Sequence, residues 1–184
     1  MRPPQTEGPF FVDGADARSD IRDGLAGVPL RLAFAVSQAR SGVCAPLAGA
    51  HVDVWHCDAD GRYSRGAAGG ARFLRGYQVS DADGRVAFAT NYPGWYAGRA
   101  VHVHFKIRAE DGARRMREFT SQLYFDDALN ARVFARAPYA RRGTGVARNA
   151  EDFIYRDGGA QLTLAPAALD AGYAATFSVT MVMD

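Results

Sequence analysis

Two histidines one residue apart, His102 and His104, are where chemistry is easiest to imagine in this chain. They fall in the apolar run AVHVHFKIRA (100–109). In a strand alternate side chains share a face, so both imidazoles project the same way. That arrangement supplies two adjacent metal ligands, although two histidines also serve simply to cover a half-buried surface. The approach to the run, NYPGWYAGR, places Tyr92, Trp95 and Tyr96 around a Pro93-Gly94 turn, with Arg99 three residues before His102. Phenolates are hard anionic donors that suit a hard ferric ion, whereas imidazoles alone suit zinc or copper as well. A tyrosine, with a pKa of roughly 10, ionises at neutral pH only when a metal or cation supports the phenolate. The plainer alternative is that these aromatics fill a core.

The elements that must position these groups are strands. VPLRLAFAV (28–36) alternates well, and SQARSG follows as a turn. AGAHVDVWHCD (48–58) runs into DADG at 58–61, and FLRGYQVS (73–80) into a second DADG at 81–84, followed by RVAFAT (85–90). The run 100–109 is broken by EDG; REFTSQLYFD (117–126) and TFSVTMVM (176–183) complete seven strands. Asp-Gly turns between alternating runs signal hairpins. The pattern predicts an all-β fold, a single-domain antiparallel β-sandwich over 1–184 with short helical excursions and long loops. The best helix is DDALNARVFA (126–135), capped by Asp126 or Asp127 and stopped before Pro138. AAGGA (67–71) and ARRGTGVARNAED (140–152) read as loops.

Bulk properties exclude several classes. The chain has 184 residues, enough for one real core. Its net charge of +2 gives nucleic acid no support, and the ARR triplets at 113–115 and 140–142 are too little for a basic groove. No apolar run approaches the ~20 residues of a membrane span, and MRPPQTEGPFF lacks the pattern of a signal peptide, so a cytoplasmic protein is expected. Cys44 and Cys57 flank a predicted strand that at about 3.3 Å per residue spans more than roughly 20 Å. A disulfide needs Cα atoms within about 7 Å. Free thiols are expected.

With these residues in view, the sequence resembles the intradiol ring-cleavage dioxygenases, the catechol, hydroxyquinol and protocatechuate dioxygenases. The likeness is carried by PLAGAHVDVWHCDADGRYS (46–64), FLRGYQVSDADGRVAFATNYPGWYAGRAVHVHFKI (73–107), TSQLYFDD (120–127) and TEGPFF (6–11). The resemblance implies one non-haem Fe(III) per chain held by Tyr63, Tyr96, His102 and His104, with Tyr63 and His104 equatorial and Tyr96 and His102 axial. It implies a small aromatic diol and O2 as reactants. The diol would chelate the iron, Tyr96 would leave the metal and accept a proton, and the ring would open between the hydroxyl-bearing carbons to a cis,cis-muconate-type diacid. Arg99 matches an arginine that steadies negative charge on the substrate, and Gln122 a glutamine beside the ring.

The chain departs from the family pattern where Ala100 and Val101 stand in place of a proline after the arginine. It also shows no counterpart of the helical N-terminal extension of many catechol enzymes, which likens it to a protocatechuate-type subunit or compact member. A homo-oligomer or a partner subunit is therefore left open, as is the substrate-selecting wall, for which Phe10, Phe11 and Arg18 are candidates. Tyr92 is the alternative to Tyr96 as second phenol; His51 and His56 read as structural, and Tyr77 as packing or pocket lining. Two rival readings stand beside this one. One is a non-catalytic, transthyretin-like binding module. The other is a zinc or copper site using the histidine pair alone.

Overall fold

Alternation decides the first strand, Pro29–Arg40 (β1). Leu30, Leu32, Phe34 and Val36 are buried while Arg31 points to solvent, the period-two pattern of a sheet covered on one face. The same pattern buries Tyr173, Ala175, Phe177, Val179 and Met181 of the last strand. The structure is a computed structural model and describes residues 2–64, 71–143 and 145–183. Apart from Ala71, the loop expected at 67–71 lies outside the described residues.

Nine strands are seen among the described residues, in two sheets. The first carries β1, β2 (Val43–Pro46), β5 (Arg85–Asn91), β8 (Ala167–Leu169) and β9 (Gly172–Val182). Here β5 and β2 share one edge of β1, and β9 takes the other. The second runs β4 (Arg75–Val79), β3 (His51–Trp55), β6 (His102–Glu110), β7 (Met116–Tyr124). The core lies between them: Phe34 meets Phe88 and Phe177 of its own sheet and, at 5.3 Å between ring centres, Phe105 of the other.

The sandwich is as expected, but four local readings need correction. The β1–β9 pair is parallel, not antiparallel. A parallel pair needs a long connection, and nearly the whole chain supplies it. The turn at 37–42 shrinks to Ser41 and Gly42, both at positive φ, with β1 continuing to Arg40 and the short strand β2 pairing back on it. The second DADG does close a tight turn, with Asp81 N–H donating to Arg85 O at 3.0 Å. Its flanking strands then part into different sheets, because Val36 N–H and the Gly84 carbonyl (2.8 Å) tie the turn to β1. The 140–152 loop contains 3₁₀ turns at Tyr139–Arg142 and Asn149–Glu151.

The helix is found at Asp127–Phe134 (α1), where Asp126 accepts from Ala128 N and Leu129 N as N-cap. A second short helix, Phe153–Arg156 (α2), is capped by Asp152. Among the described residues no helix is long and apolar enough to cross a membrane.

The histidine pair sits on β6, a strand buried on both faces. Val103, Phe105 and Ile107 face the core, so His102, His104 and Lys106 occupy the opposite face, yet these too are buried. Their cover is the N-terminal segment. Gln5 N–H donates to Thr120 O (3.0 Å), and Lys106, lying over the Phe11 ring, pairs with Glu7 at 2.6 Å.

Candidate metal centre

Two loops set the tyrosines. In the first, Asp58 Oδ1 accepts from the N–H groups of Asp60 and Arg62, both at 2.9 Å, and Gly61 turns the chain with φ +78°. In the second, Gly94 N–H donates to Asp58 O at 3.2 Å. The two are pressed together tightly: a Cβ on Gly61 would run into the Trp95 carbonyl, and one on Gly94 into the Asp58 carbonyl. This contact brings Tyr63 and Tyr96, far apart in sequence, to 5.9 Å between ring centres.

Three of the four expected ligand side chains converge on one atom of the fourth. Around His102 Nε2 lie Tyr96 Oη at 3.1 Å, His104 Nε2 at 3.1 Å and Tyr63 Oη at 3.3 Å. His102 Nδ1 donates to the Ala100 carbonyl at 2.7 Å, so its proton sits there and Nε2 presents a lone pair. His104 stacks flat on Trp55, 5.1 Å away and 4° from parallel, and its Nδ1 is buried without a hydrogen-bond partner.

The electrostatics suit a cation. Burial first, then Arg99, holds the His102 pKa down at about 3, and burial first, then His102, holds His104 well below the usual imidazole range, so both imidazoles are neutral donors. Burial raises the pKa of both phenols, Tyr63 most, so neither ionises without a positive charge close by. One lone pair cannot serve three neighbours. Two neutral imidazoles and two phenols around a shared point fit a hard cation whose charge offsets phenol ionisation. Among the described residues no group of three or more His, Cys, Asp and Glu side chains is placed to hold a metal. The histidine pair reaches a four-ligand protein set only by adding the phenols.

Beside the cluster stands Arg99. Its Nε donates to Asp152 Oδ2 at 2.9 Å and its Nη2 to Gln122 Oε1 at 2.5 Å. Gln122 lies opposite His104 in the β6–β7 register, and its amide donates to Thr6 O at 3.0 Å. Tyr124 Oη donates to Gln5 Oε1 at 2.8 Å, extending the network into the N-terminal segment. Asp152, Tyr124 and Gln5 escaped sequence reasoning. The first is distant in sequence, and the other two carry no spacing signal.

The remaining candidates lie apart from the cluster or only pack against it. Tyr92 is fully buried and gives its hydroxyl proton to Asn130 Oδ1 at 2.7 Å, away from the cluster. His56 is satisfied at both nitrogens, donating to Cys57 O and accepting from Thr90 Oγ1. His51 stacks on Tyr77 at the far end of β3, so neither lines the site. Phe10 stacks on Tyr63 at 4.3 Å and Phe11 tilts against Trp55, so both pack against the site. Arg18 instead braces the Arg75 carbonyl and Asp23. Both cysteines are free. A cleft of about 720 Å³ lies along α1, walled by Phe134, Val146 and Arg148, and includes none of the four convergent residues.

Comparison with known proteins finds similar chains. The family profile described as "Dioxygenase" matches residues 6–149. The chlorocatechol 1,2-dioxygenase of Pseudomonas sp. (strain P51) is 33% identical over 151 residues, 67% of this chain and 55% of that protein. The chain thus spans about half the length of the curated relatives it matches. Among solved structures, the intradiol ring-cleavage dioxygenase from Tetranychus urticae superposes with a TM-score of 0.86 at 25% identity, covering 98% of this chain and 93% of that one. The dioxygenase domain of a carbohydrate-binding fusion protein from Streptomyces sp. SirexAA-E gives 0.73 at 28%, with 99% and 98% covered. Fold and comparisons together define a dioxygenase-type β-sandwich. The chain belongs to the intradiol ring-cleavage dioxygenase family.

Proposed function

We propose that this protein is an oxidoreductase, a non-haem Fe(III) intradiol dioxygenase that opens a catechol-type ring with O2 to a cis,cis-muconate-type diacid. The observation that carries the reading is the convergence of Tyr63, Tyr96 and His104 on His102 Nε2. When bound, ferric iron supplies Lewis-acid activation of the diol and a template for it.

The chain's own groups divide the remaining work. Tyr63 is the enclosed phenol, covered by Phe10. Tyr96 sits at the rim next to the exposed Ala97 and Gly98, so it is the phenol free to swing and take a diol proton on its Oη. Arg99, held by Asp152 and Gln122, is a fixed cation for negative charge on the bound diol. The N-terminal segment over His104 and Tyr63 keeps bulk water away from the reacting face.

The test is a visible spectrum of iron-quantified protein, before and after anaerobic catechol. A tyrosinate-to-iron charge-transfer band that shifts with catechol is expected. Tyr63→Phe and Tyr96→Phe should each alter the band and lower iron content. A protein that stays colourless after ferric loading overturns the reading in favour of a binding module or a zinc site.

A further inference from the structure

The strongest unassigned group near the site is a buried carboxylate just outside the stretch that matches the family profile. Asp152 has no solvent exposure, yet it makes four hydrogen bonds. Its Oδ1 accepts from Ile154 N at 2.8 Å and Tyr155 N at 3.4 Å, capping α2. Its Oδ2 accepts from Arg99 Nε and from Ala100 N, both at 2.9 Å. The carbonyl of that same Ala100 receives the His102 Nδ1 proton at 2.7 Å.

Helix capping explains only one of the two oxygens. Asparagine caps a helix as well as aspartate does, so a residue needed for the cap alone has no use for a charge. The second oxygen faces two donors and requires an acceptor-only group. An asparagine there would present its NH2 either to Arg99 and Ala100 or to the start of α2, wherever its single oxygen turned. One carboxylate therefore holds both the cation beside the cluster and the residue whose carbonyl orients a candidate ligand.

We propose that Asp152 is a positioning residue that fixes Arg99 and the His102 ring together, so that substrate-side cation and metal-side imidazole keep one geometry. This rests on the ferric dioxygenase reading of the site. A buried charge with four donors is rigid, and partners that orient a ligand imidazole govern metal affinity as well as activity.

The experiment compares wild type, Asp152→Asn and, as a control for loss of a capping charge alone, Asp126→Asn. In the metal-free proteins, imidazole ¹⁵N NMR reads the His102 tautomer, and solvent exchange reads the Arg99 Nε–H. Ferric iron is then loaded and its dissociation rate measured. Wild type and Asp126→Asn should show a single Nδ1–H tautomer and a protected Arg99. Asp152→Asn should show mixed tautomers, Arg99 exchange faster by about tenfold or more, and iron release faster by about tenfold. If Asp152→Asn matches Asp126→Asn in all three, Asp152 is only a helix cap and the proposal is overturned. Should Asp152→Asn fail to fold, Asp152→Glu keeps both acceptor oxygens but shifts them by a methylene. Wild-type tautomer, exchange and iron release in that variant overturn the proposal equally. The magnetic resonance arms need no iron, so a wild type that binds none would sink the ferric reading while still judging Asp152.

Discussion

At the scale of single residues, protonation is set by burial more than by partners. His102 has one proton placed by a backbone carbonyl and one lone pair aimed at the cluster. His56, just past the end of the neighbouring strand β3, shows the same physics without the function. Its pKa is lowered from 6.5 to about 4, first by burial. In the unfolded chain it takes up a proton below about 6.5; in the fold it resists until about 4. The unfolded state therefore binds more protons across that window, and stability falls as pH drops from about 6.5 to about 4. One such group contributes a slope of about 1.4 kcal/mol per pH unit. His102 adds a contribution of the same sign in the metal-free protein. Urea midpoints of the metal-free protein between pH 7 and 4.5 should fall, and His56→Gln should flatten the dependence by that single-proton amount. An unchanged slope would mean that His56 is charged inside the fold.

At the scale of elements, strands carry the histidines and loops carry the tyrosines, so the site depends on how the loops seat. Gly61 is the seat: its φ of +78° and its closeness to the Trp95 carbonyl leave no room for a Cβ. Gly61→Ala is expected to cost about 1–3 kcal/mol and to push Trp95 and Tyr96 away from Tyr63, lowering iron affinity. Gly49→Ala is the matched control, with φ +77° but nothing within 4 Å of the new Cβ. It should lose stability alone. Calorimetry and iron titration on the pair separate strain from collision; equal iron affinities would remove Gly61 from the site.

At the scale of the whole molecule, the outer face of β6 is closed by the chain's own N-terminal segment. The cover is held by Lys106–Glu7, by Gln122 to Thr6, by Tyr124 to Gln5 and by Phe10 on Tyr63. None of its residues belongs to the buried apolar cluster between the sheets, which it touches through Arg2 over the Phe177 ring. Deleting residues 2–11 should leave the strand signal in circular dichroism intact while iron release accelerates by about an order of magnitude, because the shell that limits water access is gone. An unchanged release rate would show that the segment only decorates the sheet.

The sequence alone determined much of this. Alternation in β1, β5, β6 and β9 reveals which residues face a core, because side-chain direction in a strand is a local property with a period of two. The spacing of His102 and His104 puts two imidazoles on one face for the same reason. What the sequence left open are matters of distance. Spacing around the Pro93-Gly94 turn did not separate Tyr92 from Tyr96, and only the family resemblance favoured Tyr96; it is packing that sends the Tyr92 hydroxyl to Asn130 and the Tyr96 hydroxyl to His102. Nor could the sequence show that the second Asp-Gly turn bridges two sheets, or that β1 and β9 run parallel, because pairing is chosen by tertiary contacts rather than by turn chemistry. Asp152 was invisible for a related reason. Its place beside Arg99 and Ala100 comes from chain segments more than fifty residues apart meeting in space, and no local pattern encodes that meeting.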